Sequence, residues 1–153
     1  MERSLLSESK FKLIIMVYNR LNTISNSKLG YLVVRIAMGL SLLMHGSVRV
    51  PKWAAFSMQT ADSFKATILP EAFVYGFASL IIVTEICSGT FLLLGSKFTR
   101  IGCALAITMM GLLMFGSAMI ENWMAVMNQV VHVIVLYLLL INKHTYDPTT
   151  ANR

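Results

Sequence analysis

Apolar residues run in four long stretches, 29–50, 72–95, 99–120 and 124–141, with charged and turn-forming residues largely confined to the gaps between them. Each stretch is close to the ~20 residues a helix needs to cross the hydrocarbon of a bilayer. The gaps carry their own punctuation: Pro51 and Pro70 bracket the first, Gly95 and Ser96 open the second, and Glu121 with Asn122 marks the third. The pattern predicts an all-α integral membrane four-helix bundle.

Ahead of the first stretch, residues 11–18 are largely apolar but too short to cross, with Lys12 among them and Lys10 and Arg20 on either side. This predicts a short amphipathic helix lying in the interface. No small-x-small site follows it, which argues against a cleavable signal peptide. The expected organisation is an N-terminal segment over 1–28, a four-helix domain over 29–141 and a tail over 142–153.

Composition agrees with the pattern. Hydrophobic residues make up 56% of the 153 positions and charged residues 13%, with a mean hydropathy of +0.68, outside the range of soluble domains. Four spans and their connections use most of this length, so any catalysis has to use the bundle, its loops or a partner. The net charge of +6 does not point to nucleic acid, because the basic residues sit at segment ends rather than in one face with aromatics.

That charge instead reads as topology. Arg3, Lys10, Lys12, Arg20, Lys28, Lys97, Arg100, Lys143 and Arg153 fall on one side of a four-span chain, against Arg49, Lys52 and Lys65 on the other. The positive-inside rule then puts both termini in the cytoplasm. The opposite face is mainly the 51–70 connection, whose Trp53, Phe56, Phe64, Ile68 and Leu69 suit a short lid helix along the membrane surface, although interfacial aromatics more often serve as anchors.

Ionisable side chains at membrane depth mark either function or a structural clasp, because each costs about 2.5–3.5 kcal/mol on insertion scales. Counting ~1.5 Å per residue from Leu29, Gly95 and Ile141 places Arg35 about 9 Å in, Glu85 about 15 Å and His132 about 14 Å. The count predicts an Arg35/Glu85 pair inside the bundle with His132 beside it and Asn128 and Gln129 extending the polar lining. A hydrogen-bonded clasp locking the helices together explains the same residues without a ligand.

A second, outer group is His45, Arg49 and Glu121. His45 and Arg49 are four residues apart, hence on one helical side, and an anion or polar head group would fit there. For Arg49 the plainer explanation is a side chain snorkelling to the interface. Bis-histidine haem ligation is disfavoured, since the same count separates His45 and His132 by about 10 Å in depth. Cys87 and Cys103 form neither CxxC nor CxxCH, no metal-ligand spacing is present, and both read as small packing residues.

Several short pieces in this order are similar to the DoxX family: Arg35 within Val33-Val34-Arg35-Ile36-Ala37-Met38-Gly39, the pair His45-Gly46, Glu85 followed by Gly89, and Leu94-Gly95 leading to Thr99-Arg100. The resemblance covers roughly 29–147. It implies a four-helix bacterial inner-membrane protein related to a subunit of thiosulfate:quinone oxidoreductase and to membrane partners of redox enzymes, with quinone as the small molecule. Arg35, His45, Glu85 and Arg100 fall on its polar positions. The C-terminal end departs from the family pattern, where a Gly-rich turn precedes Ser-x-Asp; here Lys143-His144-Thr145-Tyr146-Asp147 keeps only the Asp.

The function expected is a quinone-linked membrane component that binds a quinone or similar amphipathic ligand in its polar cluster, with Arg35 or His132 as donors and a His or Glu handling the proton. No residue set here carries electrons unaided, so the chain is at most a membrane subunit of an oxidoreductase with carriers on a partner. The alternative is a non-catalytic scaffold or assembly subunit that recruits a partner protein. The partners expected are the bilayer, a redox enzyme or other membrane-complex subunit, and a second copy of the chain. A solute or proton channel is disfavoured by Met38 and Leu42 on the intervening face of the first span.

Overall fold

The computed structural model describes residues 12, 14–16 and 24–145. Contacts divide the chain into two compact units, 1–33 and 34–153. In the first, residue 12 and residues 14–16 are helical; the rest of the expected interfacial helix, and Asp147 with most of the tail, lie outside the described residues.

Five α-helices follow: α1 (Asn26–Ser47, 22 residues), α2 (Trp53–Ser63, 11 residues), α3 (Glu71–Leu94, 24 residues), α4 (Lys97–Met119, 23 residues) and α5 (Trp123–Ile141, 19 residues). No strand occurs among the described residues. The segment Asn26–Ser63, which contains α1, and the helices α3, α4 and α5 are long and apolar enough to cross a membrane; α1, α3, α4 and α5 run 19 to 24 residues, which at ~1.5 Å each match a hydrocarbon core ~30 Å thick. These four helices overlap the four apolar stretches, with ends that differ by at most three residues. The protein is an all-α, multi-pass membrane bundle.

The turns follow from local chemistry. Pro51 fits the first turn of a 3-10 turn over Val50–Lys52, where its missing N–H is not needed. Pro70, extended at ψ 135°, caps α3, and Glu71 complements that helix's positive end. Gly95 at φ 75° and Ser96 at φ 51° reverse the chain between α3 and α4. Glu121, also left-handed at φ 54°, reverses it again, after which the Asn122 side chain accepts the Ala125 N–H at 3.1 Å.

Lipid is as apolar as leucine, so transmembrane helices need close packing to associate. Glycines supply it. A Cβ on Gly89 would lie 2.5 Å from the Leu43 backbone N, and one on Gly39 would lie 3.2 Å from the Gly89 carbonyl. The α1 residues from 34 onward thus run antiparallel to α3 at near-backbone contact. Gly46 continues the seam against Ile82 and Ile86, and Gly102 of α4 meets α3 at Ser88 and Leu92. Leu42, Ile82, Leu92, Cys103 and Leu136 fill the core, while Leu40, Val83, Val131 and Leu138 remain on outward faces for lipid.

Candidate functional site

The glycine seam fixes which polar groups share a level. Gly39 lies opposite Gly89 and Leu93, so Arg35, one turn earlier on α1, arrives at the end of α3. There its Nη1 donates to the Leu92 carbonyl at 2.8 Å, and a Cβ on Gly95 would fall 2.1 Å from that nitrogen. Arg35 satisfies a terminal carbonyl of α3, where a cation also suits the helix dipole.

The expected Arg35/Glu85 pair is therefore replaced by another. Glu85, 4% exposed, accepts from Arg49 Nη1 as an ion pair. Leu29 and Gly95 do not share one plane: α1 begins at Asn26, and the register puts Arg35 level with Gly95. Moving along α3 from Gly89 toward Glu85 moves along α1 from Leu43 toward Gly46 and the chain beyond it, which brings Arg49 within reach.

His132 does not join this pair. Its Nδ1–H donates to the Asn128 carbonyl of its own helix at 2.8 Å, and Asn128 is exposed. Gln129 donates from Nε2 to Ser117 Oγ at 3.1 Å, tying α5 to α4, while its Oε1 is buried without a partner among the described groups. The outer trio is also dispersed. α1 ends at Ser47, so the four-residue spacing no longer keeps His45 and Arg49 on one side. His45 is exposed, Arg49 turns inward, and Glu121 stays exposed at its turn.

Arg49 instead faces a cavity of about 620 Å³ under α2. Its aromatic walls are Phe56, Phe64, Phe73, Phe77 and Phe115; Gln59, Thr60, Ser63, Ser117 and Asn122 supply hydrogen-bonding groups. Neither His45 nor Glu121 is among its walls. The Arg49 guanidinium sits over the Phe56 ring, 4.7 Å from the centroid, a cation–π arrangement that also aims the guanidinium.

The sequence of α2 explains how the lid is held. Trp53 Nε1 donates to Ser79 Oγ of α3 at 2.8 Å, and Ser57 Oγ, fully buried, lies 3.3 Å from the same oxygen. These bonds fasten the first turns of α2 to α3. At the other end Phe64 rests on α4, where a Cβ on Gly116 would meet its Cζ at 3.2 Å. The connection closes outside with Asp62 and Lys65, paired at 2.7 Å and exposed; that bond raises the Lys65 pKa above its usual value.

The lid helix expected over 51–70 is present, but Phe56 and Phe64 line a cavity rather than serving only as anchors. Their recurrence with Phe73 and Phe77 on both sides of Pro70 was the available signal. Ser117 and Phe115 carried none, because each sits singly in an apolar run. No three His, Cys, Asp or Glu side chains come together as a metal site among the described residues.

The DoxX family profile matches residues 30–119, more than half of the chain. The chain belongs to the DoxX family. No curated protein and no solved structure matches it. The matched stretch of this DoxX protein contains Arg35, Arg49, Glu85, α2 and the glycine seam, and stops before α5. Asn128, Gln129 and His132 lie outside it, short of the expected extent to 147.

Proposed function

We propose that this DoxX protein holds the head group of a quinone-type amphipathic ligand in the cavity beneath α2, as a membrane component of quinone-linked redox chemistry whose electron carriers reside on a partner. The observation that carries the reading is Arg49: it is the charged side chain among the cavity walls, and its charge is met from behind by buried Glu85. A guanidinium has five N–H donors, so engagement of Nη1 with Glu85 leaves others for a carbonyl oxygen. The phenylalanines supply apolar, stackable walls for a ring.

The DoxX resemblance implies a bacterial inner membrane, and the distribution of basic residues supports both termini being cytoplasmic. The cavity would then open toward the outer leaflet. Binding of a short-chain quinone to protein in nanodiscs tests the reading, followed by quenching of Trp53 fluorescence in a Trp123→Phe background. Saturable quenching is expected, weakened by about tenfold in Arg49→Gln, the loss of one hydrogen bond from a charged donor. Unsaturable quenching, or an indifferent Arg49→Gln variant, refutes it.

One observation favours a second reading, a non-catalytic scaffold that recruits a partner protein. The Arg49–Glu85 pair joins the chain beyond α1 to α3, and such a clasp is useful with no ligand at all. A partner retained in mild detergent by folded Arg49→Gln protein, with no quinone bound by either form, would favour this alternative.

A further inference from the structure

We infer that Glu85 sets the charge selectivity of the cavity: by compensating Arg49 from behind, it makes the site accept uncharged amphiphiles bearing a hydrogen-bond acceptor and reject anionic ones of equal chain length. This rests on the reading of the cavity as a ligand site.

Arg49 stands between the carboxylate and the cavity. The Arg49 side chain is 25% exposed and that of Glu85 5%, and Glu85 is not itself a wall of the cavity. No other wall residue is charged. On α2, Asp62 is taken by Lys65 at the exposed surface. His45 on α1 and Glu71 on α3 are exposed and are not walls of this cavity, and the walls contributed by α4 and α5 are uncharged. The charge presented to a ligand is thus that of a neutral pair.

An anion entering this space has two courses, both unfavourable. It takes the guanidinium from Glu85, leaving a carboxylate buried and unpaired, or it leaves the pair intact and is itself stripped of water among phenyl rings. A neutral acceptor avoids both, because it uses guanidinium N–H groups that Glu85 does not occupy. Glu85→Gln preserves the shape and an acceptor for Arg49 while removing the compensating charge. The same cavity then presents an unbalanced cation and favours anions.

The test uses full-length protein in phosphatidylcholine nanodiscs, with decylubiquinone as the neutral probe and decyl phosphate as its anionic competitor. In the wild type, decyl phosphate should displace decylubiquinone at least about tenfold less effectively than an unlabelled neutral quinone. In Glu85→Gln it should displace as well or better, and Arg49→Gln/Glu85→Gln should lose that gain. Equal displacement by phosphate and quinone in the wild type overturns the inference, even where Glu85→Gln does not fold. A folded Glu85→Gln protein that still excludes decyl phosphate overturns it as well. If the wild type binds neither probe, the ligand-site reading itself falls and the selectivity with it.

Discussion

Arg49 and Glu85 are 36 residues apart in the chain, and their ion pair closes the side of the bundle where α1 gives way to the lid. The glycine contacts between α1 and α3 bring them together, since each fixes the register one turn further toward Glu85. The pair is thus a consequence of backbone packing. It would form only where that packing is intact.

The two members of this pair should not contribute independently to stability. Arg49→Gln should destabilise the protein by about 3–5 kcal/mol, the range for stranding a buried charge; Glu85→Gln should cost less, because Arg49 is partly exposed and keeps an acceptor, and the double variant should cost clearly less than the sum. Reversible unfolding in mixed micelles, run as a double-mutant cycle, measures the coupling. Additive effects would contradict a direct interaction.

The glycine seam makes a graded prediction. Gly89→Ala places a methyl carbon 2.5 Å from the Leu43 backbone N, a backbone neighbour that cannot step aside, and should cost about 1–3 kcal/mol or prevent assembly. Gly76→Ala and Gly111→Ala meet open space and should be neutral or stabilising by up to about 1 kcal/mol through helix propensity. The same unfolding assay ranks the three.

Arg35 acts at the α3–α4 turn, so its loss should be felt there. Arg35→Ala should weaken the hydrogen bond network around Leu92 and raise amide exchange at 93–96, with a stability loss of about 1.5–3 kcal/mol. Quinone affinity should stay within about twofold, because the cavity walls do not include Arg35. Hydrogen exchange by mass spectrometry localises the effect.

Gly116 bounds the cavity beneath Phe64. Enlarging it to Val displaces Phe64, whose Cζ already lies 3.2 Å from a Cβ at that position, and fills space that a ligand would use. Quinone affinity should fall by about tenfold with little change in unfolding, because one face of the substituted position is open. Unchanged affinity would place the ligand elsewhere.

The spans were legible because hydrophobic run length and Pro, Gly and Asn punctuation are local properties, and the structure reproduces them within a few residues. The polar site was only partly legible. Glu85 stood out by its cost at membrane depth, but its partner depended on inter-helix register, and register is set by which small residues touch. Gly39, Gly46 and Gly89 were visible as small residues, yet nothing local says that Gly39 meets Gly89 rather than another turn. Arg49 looked like a snorkelling side chain because the end of α1 at Ser47 and the turn at Pro51, which aim it inward, act together only in three dimensions. Phe56 and Phe64 followed the same logic: interfacial anchors and cavity walls have one composition and differ in what lies beneath them.

The most direct measurement is photoaffinity labelling with an azido-quinone in nanodiscs, with adducts mapped by peptide sequencing. A ligand seated against Arg49 under α2 should label 56–73 and 112–117, and at a fixed sub-saturating concentration labelling should fall about tenfold in Arg49→Gln and be competed by excess decylubiquinone. Labelling concentrated instead around 128–132 or near Arg35, with 56–73 unmodified, would contradict the account and return the ligand to the cytoplasmic half of the bundle.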